Sequence, residues 1–285
     1  MSFVELALYL PDNPNSIDGN IVVSREINTS GKNLCKINGR LVTVNELKNF
    51  MKNIIDIHGQ YDMFMELLEK IPLKDSDTLY ILGDVVDRGP HPIKTLQKLK
   101  EMPNVICMVG NHELMALRCL KLLMTADAQS VFGLDEEDRK DLWMWQYNGG
   151  LSTFEEFREL DAEEQQEIIE FMSDFLVYEE VSAGGRDYLL VHAGLGNYSP
   201  EKEIEDYSLE ELMWMRADYN VRYFDDVIVV TGHTPTQQIK DNPNPGVIYK
   251  KNNHIVIDCG AHYPGGRLAA ICLDTGEEYY SSPHS

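Results

Sequence analysis

Thr78-Leu79-Tyr80-Ile81-Leu82-Gly83-Asp84-Val85-Val86-Asp87-Arg88-Gly89 and, after a helical pattern, Val105-Ile106-Cys107-Met108-Val109-Gly110-Asn111-His112-Glu113 set the architecture of this 285-residue chain. Each half is a short apolar run ending in glycine and a group of polar side chains. Such runs read as buried strands, and Pro92 to Lys100 between them carries helical spacing. A strand-loop-helix-strand-loop unit places its polar loops at the carboxyl ends of parallel strands, where α/β proteins gather their chemistry. Those loops carry Asp84, Asp87, Arg88, Asn111 and His112 beside glycines that permit tight turns. Carboxylate, amide, imidazole and guanidinium together point to metal ions and a phosphate.

Further fragments lie upstream, Asp56-Ile57-His58-Gly59, and downstream, His192-Ala193-Gly194 and Gly232-His233-Thr234-Pro235. In this order and spacing the five fragments resemble the phosphoprotein phosphatase family of binuclear metallophosphoesterases, which includes the bacterial serine/threonine phosphatases. The resemblance covers about residues 56–285. It implies an α/β fold, the calcineurin-like sandwich of two mixed β-sheets flanked by helices. It also implies that Asp56, His58 and Asp84 hold one divalent ion, while Asp84, Asn111, His192 and His233 hold the other. Hard oxygen donors mixed with imidazoles suit manganese, with iron or zinc as alternatives, better than calcium. A shared carboxylate at Asp84 makes physical sense, because dications about 3.5–4 Å apart need negative charge between them.

By the same resemblance a metal-bridging hydroxide attacks phosphorus in line, without a phosphoenzyme. His112 is then the general acid, and Asp87 fixes its tautomer. Arg88 and Arg216, the latter in Trp214-Met215-Arg216, clamp the phosphate with Asn111, since planar guanidinium groups donate in pairs. His91, His254, His262 and His284 fall outside the motifs and read as surface or core residues, and Cys259 as packing. One departure is Ile55, where the family has glycine; a branched side chain there is expected to crowd the strand end beside Asp56.

The formal net charge of −22 argues against nucleic acid or an anionic membrane as partner. Cys35, Cys107, Cys119, Cys259 and Cys272 are scattered and odd in number, which reads as reduced thiols in a cytoplasmic protein. Phe3 to Leu10 has no basic leader and is too short to span a bilayer, so no targeting segment is expected.

Residues 1–50 differ in character from 51–285. Asn20 to Thr29 and Leu34 to Val42 alternate about the turn Ser30-Gly31-Lys32-Asn33, which predicts a β-hairpin extension. Thr43-Val44-Asn45-Glu46 predicts a capped helix reaching Met51. Ser24-Arg25-Glu26-Ile27, Lys36-Ile37-Asn38-Gly39-Arg40 and Ile55-Asp56-Ile57-His58-Gly59-Gln60 place residues 1–63 near a piece of the RecN-type DNA-repair ATPase, which they resemble. No phosphate-binding Gly-x-x-x-x-Gly-Lys-[Ser/Thr] loop accompanies them, so the segment reads as a passenger.

Beyond it, Tyr61 to Lys70 and Glu113 to Met124 predict helices. About 135–171 predicts a helical cap, whose Trp143, Trp145 and Asn148-Gly149-Gly150 make it similar to a region of the bacterial phosphatases in which a tryptophan precedes Asn-Gly-Gly. Phe175 to Val181, Tyr188 to His192, Val227 to Thr231, His254 to Asp258 and Arg267 to Leu273 predict strands. The expected protein is a monomeric metal-dependent phosphatase acting on a phosphoprotein or phosphopeptide. Alternatives are a dinucleoside polyphosphate hydrolase, or a non-catalytic binding protein with a damaged first metal site.

Overall fold

The structure, a computed structural model, describes residues 2–9, 20–27, 33–37, 40–42, 52–55, 57–74, 76–125, 134–240 and 242–284, with only the backbone before residue 52. The chain divides into two compact units, Met1–Met51 with Leu73–Thr78, and Lys52–Pro72 with Leu79–Ser285.

In the second unit the apolar runs form two five-stranded mixed sheets. One has the order β14 (Glu278–Tyr280), β13 (Ala269–Cys272), β5 (Lys52–Ile55), β6 (Thr78–Ile81) and β7 (Val105–Cys107). The other has the order β11 (Tyr249–Lys251), β12 (His254–Val256), β10 (Val227–Thr231), β9 (Arg186–Val191) and β8 (Tyr178–Ala183). β6 and β7 run parallel, as do β9, β10 and β12, whereas β8, β11, β13 and β14 pair antiparallel with their neighbours.

Because successive strand residues face opposite ways, each run supplies two cores. Ile54, Tyr80, Leu82, Met108 and Ile271 pack between the sheets against Tyr188, Leu190, Val230 and Ile255. Their neighbours Leu189, Val191, Val229 and Val256 face outward onto Leu212, Met213, Tyr219 and Tyr223. Helices α1 (Tyr61–Lys70) and α2 (Pro92–Glu101) bury Phe64, Leu67, Ile93, Leu96 and Leu99 at helical spacing. Ile55, the residue expected to crowd its strand end, is fully buried and sits opposite Ala270, whose small side chain leaves it room.

α3 (Asn111–Thr125) follows β7 directly. The acidic stretch beyond it forms α4 (Glu136–Tyr147), α5 (Leu151–Phe157) and α6 (Ala162–Ser173). Asp135 caps α4, and Asp161 with Glu164 makes a reciprocal capping box at α6. The strand expected from Phe175 begins only at Tyr178. Leu176 spends its backbone bonds on the other sheet, donating to Cys107 O (2.9 Å) and accepting from Val109 N (2.8 Å).

In the first unit the expected hairpin is present as β2 (Asn20–Ile27) and β3 (Asn33–Ile37), within a larger antiparallel sheet. β1 (Ser2–Tyr9) pairs with β2 from Ser2↔Ile27 to Tyr9↔Asn20, and β4 (Arg40–Val42) pairs with β3. Asn38-Gly39 between β3 and β4 is itself a strong hairpin signal, which divides the single strand expected over Leu34 to Val42. The capped helix expected over Thr43 to Met51 lies outside the described residues, as does Asp56. Cys107, Cys119, Cys259 and Cys272 are buried free thiols. Among the described residues no helix is long and apolar enough to cross a membrane.

Candidate active site

The loops after β5, β6, β7, β9, β10 and β12 converge at one end of the two sheets. Their backbone is strained: His58, Asp84, Asp87, Arg88 and His233 all have φ between 50° and 68°. The other non-glycine residues with positive φ among the described residues are all asparagine, and Arg88 is the one residue of the set outside the Asn, Asp and His types that enter this region most readily. Such strain costs about 1–3 kcal/mol per residue and persists only where the surroundings enforce it.

At Asp84 the enforcing group is Glu113. Its carboxylate accepts from the backbone N–H groups of Gly110 (2.8 Å), Asp84 (2.7 Å), Val85 (2.7 Å) and Val86 (3.1 Å), lashing the β6 loop to the start of α3. Burial and the nearby Asp84 push this carboxyl up to about 7, and the N–H donors oppose that shift. Gly83 and Gly110 let the two loops touch: a Cβ on Gly110 would lie 2.3 Å from Asp84 Oδ1.

Asp84 is shared by two groups of converging donors, His58 with His112 on one side and His192 with His233 on the other. His58 Nε2 is 3.5 Å from Asp84 Oδ2, and His192 Nε2 is 3.2 Å from Asp84 Oδ1. Asn111 Oδ1 lies 3.1 Å from His192 Nε2 and 2.9 Å from His233 Nδ1. The His192 tautomer follows from its other nitrogen, since Nδ1 donates to Leu82 O at 2.6 Å. Its Nε2 is therefore bare and faces two oxygen acceptors, a cluster of lone pairs that a cation would relieve. Burial lowers the pKa of His58 and His192 and takes His233 down to about 3, which keeps these imidazoles neutral as metal binding requires. The residues present fit divalent ions.

His112 is fully buried; its Nδ1 meets Asp87 Oδ2 at 2.7 Å, and its Nε2 has no partner among the described residues. Burial lowers its pKa, but Asp84 and the Asp87 hydrogen bond outweigh that and raise it. Asp87 is itself held by the helical region, accepting from Trp145 Nε1 at 3.0 Å and Thr153 Oγ1 at 2.6 Å. Arg88 N donates to Gly149 O at 3.1 Å, so the Asn-Gly-Gly segment positions the arginine's backbone.

Arg88, Asn111, His233 and Arg216 line one cleft of about 530 Å³, walled also by Met115, Met144, Asn148, Trp214 and Tyr263. Arg216 Nη2 donates to Gln238 Oε1 at 2.8 Å.

All the described residues among the expected site positions thus come together. His262, set aside in the sequence, joins them: its ring centre is 4.9 Å from that of His58. Nothing local in the sequence marks it. His254, also set aside, is buried away from the cleft between Tyr219 and Tyr223.

Comparison with known proteins agrees with this geometry. The chain is 32% identical over 139 residues to the symmetrical bis(5'-nucleosyl)-tetraphosphatase of Dechloromonas aromatica, 48% of this chain and 41% of that one. It is 28% identical to serine/threonine-protein phosphatase 2 of Salmonella typhimurium over 56% of this chain and 64% of that one. To the asymmetrical bis(5'-nucleosyl)-tetraphosphatase PrpE of Halalkalibacterium halodurans it is 27% identical, over 75% of this chain and 86% of that one. The chain therefore spans less than two thirds of the length of the first two.

In fold it is similar to a solved structure described as a candidate diadenosine tetraphosphatase. The TM-score is 0.59 and the identity 19%, covering 83% of this chain and 95% of that one. The family model for calcineurin-like phosphoesterases takes in residues 56–265, the span from the loop after β5 to past His262. With well over half its length inside that match, the chain belongs to the calcineurin-like phosphoesterases, a divalent-metal-dependent family.

Proposed function

We propose that the protein hydrolyses phosphate monoesters, with phosphoserine and phosphothreonine of proteins or peptides as substrates. The observation that supports this most is the lone-pair cluster around Asp84 beside the unpartnered, buried Nε2 of His112. His58, Asp84, Asn111, His192 and His233, with Asp56, would hold two divalent ions, manganese foremost. When bound, such ions supply a nucleophilic water at neutral pH and neutralise phosphoryl charge.

The remaining work falls to the side chains. Arg88 and Arg216 bring fixed positive charge to a cleft in a strongly acidic protein, and each can grip phosphoryl oxygens in pairs. Asp87 holds the Nδ1–H of His112, which leaves Nε2–H to protonate the departing serine or threonine oxygen.

A second reading has an observation of its own. Trp214 and Tyr263, exposed by 41% and 39%, wall the cleft with Met115 and Met144. Flat apolar faces of this kind suit a nucleobase, and two of the relatives above are named as dinucleoside tetraphosphatases. The manganese-loaded protein assayed on a phosphoserine peptide and on diadenosine tetraphosphate separates the two readings. Faster turnover of the peptide is expected; preference for the dinucleotide moves the assignment to the second, and turnover of neither sinks both.

His112→Asn is expected to lower kcat on the peptide by about 10²–10⁴. The loss should be smaller on p-nitrophenyl phosphate, whose leaving group needs little protonation. Equal losses would remove His112 from the acid role.

A further inference from the structure

His262 stands in the loop after β12, outside every motif, yet its side chain reaches Arg88, one of the residues that line the cleft. Its Nε2 lies 3.4 Å from Arg88 Nη1, which is also 3.4 Å from His58 Nε2. The ring meets His58 edge-on, at 75°, and packs on Tyr263 with centroids 4.0 Å apart. Its Nδ1 is buried and finds no partner among the described residues.

The loop that carries His262 is tightly held. Asp258 Oδ1 accepts from Gly260 N at 2.8 Å, Tyr263 N donates to Gly260 O at 2.8 Å, and Arg267 N donates to Cys259 O at 3.2 Å. Gln237 Nε2 donates to Cys259 O at 2.8 Å, and a Cβ on Gly260 would lie 2.7 Å from that same amide. The ring is therefore presented by a fixed support.

The two ring nitrogens pose a conflict. A guanidinium can only donate. If His262 Nε2 accepts from Arg88, the ring proton sits on Nδ1, buried without an acceptor. If the proton sits on Nε2, two N–H donors face each other across 3.4 Å. Either tautomer misdirects a donor, and unpaired buried donors are uncommon in folded proteins. An anionic oxygen seated between the two groups accepts from both, and then Nδ1 is left only as a bare acceptor.

We infer that His262 is a further phosphate-binding residue, which donates from Nε2 with Arg88 to one phosphoryl oxygen of the substrate. This rests on the reading of the cleft as a phosphoryl-transfer site. The role adds a neutral donor that neither arginine supplies, on the wall next to His58.

Two variants test it on the full chain loaded with zinc, with inorganic phosphate as the probe and calorimetric affinity as the readout. His262→Phe keeps a ring against His58 and Tyr263 but removes the donor; His262→Gln offers an amide N–H in its place. The Phe variant is expected to bind phosphate about tenfold or more weakly. The Gln variant should recover most of that loss, and elemental analysis should find the metal content of both unchanged. Phosphate affinity of the Phe variant equal to that of the unaltered protein overturns the inference. So does loss of a metal ion, or equal weakening in both variants with metal retained, which would show that an N–H donor at this position does not carry the affinity. An unaltered protein that neither binds phosphate nor hydrolyses any phosphoester sinks the underlying reading as well, and is distinguished by that.

Discussion

Glu113 shows how a single carboxylate can hold an active-site backbone that no local propensity favours. It accepts four backbone N–H groups across two loops, in a fully buried position. In Glu113→Gln one acceptor oxygen becomes an NH₂ that faces donors, so two of those N–H groups lose their partner. Each buried donor left unsatisfied costs roughly 1–3 kcal/mol, and the substitution should destabilise the protein by about 2–4 kcal/mol in urea unfolding. A change under about 1 kcal/mol would show that the loops stay in place without the clasp.

His254 is a contrasting residue, buried away from the metal donors, with neither ring nitrogen partnered among the described residues. Burial takes its pKa down to about 4. The unfolded chain, with an ordinary histidine near 6.5, therefore binds the proton more tightly. The associated stability is complete above about 6.5 and is lost as pH falls towards 4. The loss between pH 7 and 5 from this group is roughly 2 kcal/mol. His254→Phe should flatten the pH dependence of the melting temperature of the metal-free protein over that interval. Parallel curves for the two proteins would show that His254 does not titrate on unfolding.

Among the elements, β5 leads into the loop that carries His58. Its last residue, Ile55, occupies fully buried space opposite Ala270 and so contributes packing to the sheet that positions His58. Ile55→Gly gains backbone freedom but opens a cavity, and the cavity dominates: a cost of about 3–5 kcal/mol is expected from the lost side chain and the weakened strand. Thermal unfolding measures this, and a cost near zero would mean that the strand end collapses around the gap. The helices α4 and α5 act through a different route. Trp145 and Thr153 reach Asp87, so a segment that shapes the cleft through Met144 and Asn148 also orients the partner of His112.

At the scale of the whole molecule, the described residues supply two hydrophobic clusters in the second unit, one between its sheets and one outside them. A chain that starts at Met51 retains these residues, β5 and the loop after it, and under the proposed function it is expected to fold and to match the full chain in manganese-dependent phosphopeptide hydrolysis. Circular dichroism and a phosphopeptide assay check this. Intact secondary structure with activity abolished would show that residues 1–50 take part in function.

The sequence by itself determined the order of the strands and helices around the site and the residue types at its centre. Glycine-flanked polar loops after apolar runs are local signals, as is the helical spacing of Tyr61 to Lys70, which the structure reproduces residue for residue. Only the tertiary structure decided the supports: the Glu113 clasp, the hold of Trp145 on Asp87, the place of His262 beside Arg88, and the bonds of Leu176 to the opposite sheet. Each joins groups whose separation along the chain is spanned by sheet pairing or loop convergence, and periodicity carries no information about partners at that distance. His262 and His254 are alike in the sequence in being lone histidines outside the motifs. One reaches Arg88 and the other packs between tyrosines, because His254 stands on β12 itself whereas the loop beyond β12 carries His262 to the end of the sheets where the site loops converge.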